Sequence, residues 1–208
     1  LALCLDSLLG YKRKRFDKLE ESLTTIFPHL EAIVIVPDAG YPAAPRERED
    51  IYNNISRPPG KGLYFRVKGG AIELPAAQMS DGFLLILAYL TVLHLPTPPP
   101  VLLIEEPENG IHPKRLQEVI TILRTLIEQH PETQVVMTTH SPYLLDMFEP
   151  NEVSLCRRVE DGSVAVTRLD RNPIVKKQLD LFTLGEIWTS EGDEALAQTD
   201  APSEVPKP

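Results

Sequence analysis

The chain has 208 residues, 42% hydrophobic and 25% charged, enough for one domain with a sizeable core. Its 21 Lys and Arg against 30 Asp and Glu give a formal charge of −9, which excludes adhesion to nucleic acid through net charge and leaves only a local basic patch to act. Cys4 and Cys156 lie far apart without metal-ligand spacing, which argues against a disulfide and fits a cytoplasmic setting, and no apolar run approaches the ~20 residues that span a bilayer.

The opening LALCLDSLLGYKRKRF is apolar and then basic, the reverse of a signal peptide, and it lacks an initiator Met. The expectation is a chain that begins inside a longer gene product. Residues 11–27 read as a helix with Leu19, Leu23, Ile26 and Phe27 on one face and Pro28 as its stop. Residues 31–36, EAIVIV, read as a strand, and the polar stretch 37–62 as a surface insertion. LYFRV at 63–67 and AIELP at 71–75 form a hairpin whose turn takes positive φ from Gly69 and Gly70. An apolar helix follows at 81–95, ended by Pro96. Residues 101–104 read as a buried strand. Pro113 opens a helix to about residue 130, with Leu116, Val119, Ile120, Leu123 and Ile127 on one face. Residues 134–138 are the next strand, and Ser141 with Pro142 starts a short helix to about Phe148. A last hairpin, EVSLCRRV and SVAVTRL joined by EDG, precedes a short helix near 174–182. The acidic stretch 189–208 reads as disordered. The strand–helix–strand alternation from 101 to 138 predicts a parallel sheet flanked by helices, an α/β class in which function sits at the carboxyl ends of the strands.

Three segments carry chemistry. VLLIEEPENGIHP at 101–113 ends an apolar run in Glu105 and Glu106. Adjacent residues leaving a strand point to opposite sides, so these two acids do not suit a glycosidase pair acting on one bond. They suit two separate jobs. One carboxylate holds the water shell of Mg²⁺, and the other orients a water for in-line attack on a γ-phosphate. The bland alternative is a pair of solvated acids at a strand end. QVVMTTHSP at 134–142 brings His140 to the end of the second strand, where it is either a satisfied strand-terminal histidine or a donor to a γ-phosphate. QMSDGF at 78–83 offers Ser80 or Asp81 as a helix N-cap, and a Ser and a Gly amide at a helix start also make an anion site. His29, His94 and His130 sit near helix ends and read as structural; His112 lies before a helix-opening proline and near the acids. No G-x-x-x-x-G-K-S/T loop occurs in the chain, so the usual phosphate cradle is missing from it.

In this order, the segments resemble the C-terminal half of an ABC-type ATPase domain, of the soluble RecF/SMC-like and OLD-like AAA branch. MSDG at 79–82 resembles the signature motif and VLLIEE at 101–106 resembles Walker B with its glutamate. PENGIHP at 107–113 resembles the D-loop and TTHS at 138–141 the switch histidine. The resemblance covers about residues 63–170, and LGEIW at 184–188 also looks like the end of such chains. It implies a P-loop NTPase-like sheet flanked by helices, lacking the N-terminal Walker A part. The division it implies is 1–62 as the end of a helical insertion with a strand and polar loop, 63–188 as the C-terminal half of the ATPase domain, and 189–208 as a tail.

The resemblance also implies roles. Glu105 stands at the Mg²⁺-associated position, usually Asp in the family. Glu106 is implied as the water-orienting group and His140 as the γ-phosphate sensor. Ser80 and Gly82 are implied to touch the γ-phosphate of ATP held by the opposite subunit of a head-to-tail homodimer. Asn109, Gly110 and His112 are implied to line that subunit interface; His112 stands where transporters carry Asp. The family's phosphate loop lies upstream of a helical insertion, and the opening helix with Lys12–Arg15 fits the end of that insertion. Its basic run faces either DNA or solvent.

Three readings follow. The first is part of an ATPase that acts as an ATP-driven dimerisation switch in DNA repair or phage defence, with a nuclease or DNA as partner and no membrane; the isolated chain is then inactive for want of a phosphate loop. The second is a non-hydrolysing partner-binding module. The third, a Mg²⁺-dependent nuclease using Glu105, Glu106, Glu108 and His112, needs a second acid pair that the sequence does not supply.

Overall fold

The computed structural model describes residues 1–42, 59–159 and 162–197, with the main chain alone at 39–42 and 59. The chain divides into two compact units. One comprises Leu1–Ile104 with Asn109–Val136, the other Glu105–Glu108 with Met137–Pro208.

The first unit opens with α1 (Ala2–Tyr11) and α2 (Arg13–Ile26). The sequence reading missed α1, because its apolar residues lack a clean stripe; Leu5 and Leu8 are the pair it buries. In α2 the buried face is Phe16, Leu19 and Leu23. The basic run that opens it is partly spent on structure. Arg15 donates to the Leu95 carbonyl at 2.8 Å, and Arg13 pairs with Asp17 at 2.8 Å.

Strands β1 (Leu30–Pro42) and β2 (Pro59–Val67) pair antiparallel, and β3 (Glu73–Pro75) joins β2. The expected polar insertion at 37–62 is therefore shorter than its composition implied. Val36 faces Gly62, Pro37 faces Lys61 and Asp38 faces Gly60, so both arms continue the ladder. Its remainder, 43–58, lies outside the described residues. The division proposed at residue 62 falls inside β2. In the β2–β3 turn Gly69 takes φ 73°, and Gly70 is not in the left-handed region.

Helix α3 (Asp81–Leu93) is apolar on most sides, and Phe83, Ile86, Leu87, Leu90 and Leu93 are buried. Phe83 is the hub of an aromatic cluster, with ring centroids 4.7 Å from Phe65 and 4.8 Å from Phe27. Burying each such ring contributes about 1.5–3 kcal/mol. Helix α4 (Pro113–Gln129) buries Leu116, Val119, Ile120, Ile122, Leu123 and Leu126. Ile127, expected on that face, is exposed; the buried arc turns toward Ile122 and Leu126 instead.

Strands β4 (Val101–Glu105) and β5 (Gln134–Thr138) pair with each other. The Gln134 N–H donates to the Pro100 carbonyl at 2.8 Å and the Glu106 N–H to the Thr138 carbonyl at 3.0 Å. Numbering rises in step along both strands, so the pair is parallel. The expectation of a buried strand at 101–104 is corrected. Residues alternate between exposed and half-buried, and Val101, Leu103 and Val136 are 49%, 74% and 53% exposed. Parallel strands ordinarily have both faces covered. Here one face carries apolar side chains in the open.

The second unit contains α5 (Pro142–Leu145), the antiparallel hairpin β6 (Ser154–Arg158) and β7 (Val164–Arg168), α6 (Pro173–Gln178) and α7 (Leu184–Ala197), which breaks at Gly192. Its core is Leu145, Leu169, Val175, Leu184, Ile187 and Leu196. The expected disordered tail at 189–208 is corrected for its first part. Residues 189–197 are helical on both sides of the Gly192 break, held by Leu196, which is fully buried and whose carbonyl accepts from the Asn172 side-chain amide at 2.6 Å. Residues 198–208, and residues 160–161 of the expected EDG turn, lie outside the described residues. The architecture is mixed α/β with sheets flanked by helices, as the sequence implied.

Candidate functional site

Two groups of the sequence-predicted residues come together, one in each unit. In the second unit, β4 ends in Glu105, an exposed carboxylate, and the chain then turns sharply. Glu106 has φ 44°, the only left-handed non-glycine among the described residues. That conformation costs about 1–3 kcal/mol for a side-chain-bearing residue and is typical of functional turns. It is held by the Glu106 N–H bond to Thr138, which closes the tips of β4 and β5, and by Pro107, which is buried.

This turn sets the Glu106 carboxylate beside His140. His140 Nε2 lies 3.9 Å from Glu106 Oε1, and the His140 side chain is 83% exposed. The strand-tip geometry thus brings an acid and an imidazole within reach of one small polyanion or one water. Sequence reasoning had Glu108 only in the nuclease reading and missed that it braces them. Glu108 Oε1 accepts the Thr139 hydroxyl at 2.6 Å and the His140 main-chain N–H at 3.2 Å. The signal was present as a third acid two residues after Glu106, but its partner lies beyond a helix and a strand.

In the first unit, Ser80 caps α3 by accepting the Phe83 N–H at 3.3 Å. Gly82 lies against the 109–112 segment so closely that a Cβ there would stand 2.5 Å from the Gly110 carbonyl oxygen. Gly110 takes φ 77° with Asp81 Cβ 3.5 Å from the position its own Cβ would occupy. His112 caps α4; its Nδ1 accepts the Lys114 N–H at 3.2 Å, which leaves Nε2 to carry the proton of the neutral ring. Asn109 and His112 are exposed. Ser80, Gly82, Gly110 and the start of α4 are therefore neighbours, joined by main-chain packing.

The donor set fits Mg²⁺ held largely by water and phosphate. Glu105 is one exposed carboxylate, and no group of three His, Cys, Asp or Glu among the described residues could cage an ion. The same observation leaves the nuclease reading without its clustered ligands. For the triphosphate, no G-x-x-x-x-G-K-S/T segment occurs in the sequence to cradle the β- and γ-phosphates. No helix among the described residues is long and apolar enough to cross a membrane.

No curated protein matches the chain. Solved structures include a chain from work on ATP-driven dimerization and DNA-stimulated activation of SMC ATPases, at 15% identity and TM-score 0.43, covering 80% of this chain and 92% of that one. Another is an SMC head bound to the C-terminal winged-helix domain of ScpA, at 16% identity and TM-score 0.47, covering 80% of this chain and 48% of that one. Residues 8–146 match the family described as AAA domain, putative AbiEii toxin, Type IV TA system. The match spans well over half of the chain, and the protein belongs to this family of AAA-type ATPase domains.

Proposed function

We propose that the protein supplies the Walker B, D-loop and switch-histidine part of an ATP-hydrolysing domain that works as a dimerisation switch. The observation that carries this is the 3.9 Å approach of His140 Nε2 to Glu106 Oε1 at the paired tips of two parallel strands. Glu105 holds the water shell of Mg²⁺. Glu106 orients the attacking water, and its exchange for Gln would remove the charge that polarises it. His140 donates to the γ-phosphate. Ser80 and Gly82, at the positive end of α3, meet the γ-phosphate bound by the opposite subunit of a head-to-tail homodimer, and Asn109, Gly110 and His112 line the surface between subunits. Hydrolysis reopens the dimer, and DNA or a nuclease receives that motion in a repair or phage-defence assembly.

The missing phosphate loop makes the chain alone inactive, and a segment bearing G-x-x-x-x-G-K-S/T supplied in trans completes the site. The test is ATP turnover by the 208-residue chain alone and in that mixture, with light scattering for ATP-dependent dimers. Turnover confined to the mixture and lowered about 10²–10⁴-fold by Glu106→Gln supports the reading. Mg²⁺-dependent turnover by the chain alone, abolished by Glu106→Gln, would show that no loop is needed.

A second reading, a partner-binding module without turnover, draws on the open apolar face of Val101, Leu103 and Val136. A mixture that forms a stable complex yet never hydrolyses ATP favours it.

A further inference from the structure

We propose that Glu108 is a positioning residue for His140, a role that rests on His140 being the phosphate-sensing group. A side chain as exposed as that of His140 gains no fixed orientation from packing. Long-range ordering of it has to come through its own main chain, against the rotamer freedom it would otherwise keep. Glu108 provides that order from a segment about thirty residues away in sequence. One carboxylate oxygen, Oε1, takes both the Thr139 hydroxyl at 2.6 Å and the His140 N–H at 3.2 Å. The Thr139 oxygen then accepts the Ser141 N–H at 2.9 Å. With Glu106 holding the Thr138 carbonyl, each residue from 138 to 141 is tied to the 105–108 turn directly or through one intermediate.

The other oxygen, Oε2, is buried and makes no hydrogen bond. Burying a carboxylate oxygen without a partner costs stability. The contribution of Glu108 at the Thr139–His140 corner comes through Oε1. Glu108 thereby fixes where the His140 imidazole stands relative to the Glu106 carboxylate. It touches neither nucleotide nor water in this role.

The test uses the full chain and NMR. The readouts are exchange of the His140 and Ser141 amides, NOEs from the His140 ring to the Glu106 side chain, and exchange of the Ile187 amide as a reference for unit stability. Glu108→Ala is expected to speed His140 exchange about tenfold or more and to erase the ring NOEs, with Ile187 unchanged. Glu108→Gln, which keeps an acceptor at Oε1, restores both. Thr139→Val removes one of the two bonds to Glu108 and also the acceptor of the Ser141 N–H, so it is read at the His140 amide and ring, where it gives an intermediate loss and guards against a misfolded alanine variant. In the phosphate-loop mixture, Glu108→Ala lowers kcat with KM unchanged, and Glu108→Gln recovers it. Unchanged His140 exchange and NOEs in Glu108→Ala overturn the proposal. So does an equal acceleration at Ile187, which would make Glu108 a stabiliser of the whole unit. If the wild-type mixture does not hydrolyse ATP, the ATPase reading fails, while the exchange results still decide the clamp.

Discussion

The acid–imidazole corner and the glycine contact are built from opposite materials. At the corner, Glu108 accepts the Thr139 hydroxyl and the His140 N–H, His140 Nε2 lies 3.9 Å from Glu106 Oε1, and the imidazole itself is open to solvent. At the glycine contact, Gly82 and Gly110 meet main chain to main chain with no room for a methyl group. The first arrangement depends on which polar atoms are present. The second depends on which atoms are absent. Isosteric changes should therefore silence the corner without unfolding the protein, while a single added carbon should disturb the glycine contact before any chemistry is tested.

The largest effect expected separates the two. Glu106→Gln keeps the side chain's shape and one acceptor oxygen, so its thermal unfolding should match wild type within about 0.5 kcal/mol. Turnover in the phosphate-loop mixture should nevertheless fall about 10²–10⁴-fold. Retained turnover would make the corner structural after all. Next in size is Gly82→Ala. Its Cβ would press on the Gly110 carbonyl at 2.5 Å, and both neighbours are main chain that cannot swing away. A loss of about 1–3 kcal/mol by chemical denaturation is expected. A neutral result would mean that the 109–112 segment yields easily, and the contrast between the regions would vanish. Smaller again is Glu106→Gly. Relieving φ 44° should raise stability by about 1 kcal/mol while turnover is lost, the signature of strain retained for function. A fall in stability would show that the Glu106 side chain contributes to the fold beyond its backbone.

These regions were also unequally legible in the sequence. Local signals gave the corner's positions: two apolar runs ending in acids and in a histidine place Glu105, Glu106 and His140 at adjoining strand ends. Caps were readable for the same reason, and Ser80, Ser141 and the proline-opened α4 stand where short-range chemistry puts them. What stayed hidden depends on contacts distant in sequence. Glu108 looks like any acid in a turn until Thr139 arrives beside it. Gly82 looks like a helix-start glycine until Gly110 closes on it. The open face of β4 reads as core because VLLI is apolar, although Leu103 is 74% exposed. The helical start of the tail reads as disorder because one leucine, Leu196, supplies most of its anchoring.

A last and smaller effect lies at the other end of α3 from Gly82. His94 is the C-cap of that helix, and its Nε2 is buried without a hydrogen-bond partner. Burial, then the nearby positive charges of Arg15 and Lys18, hold its pKa below the ordinary histidine value. The unfolded chain takes up a proton near pH 6.5. The folded chain does so only at lower pH, so in the window between, the unfolded state carries more protons and stability falls on acidification. Above that window both states are neutral at this site and the contribution is flat. Denaturation of wild type and His94→Gln from pH 7.5 downward should show wild type losing stability more steeply as the pH drops below about 6.5. Parallel curves would mean that the imidazole reaches water in the folded state. That would place a solvent path at the end of α3, where Arg15 donates to the Leu95 carbonyl.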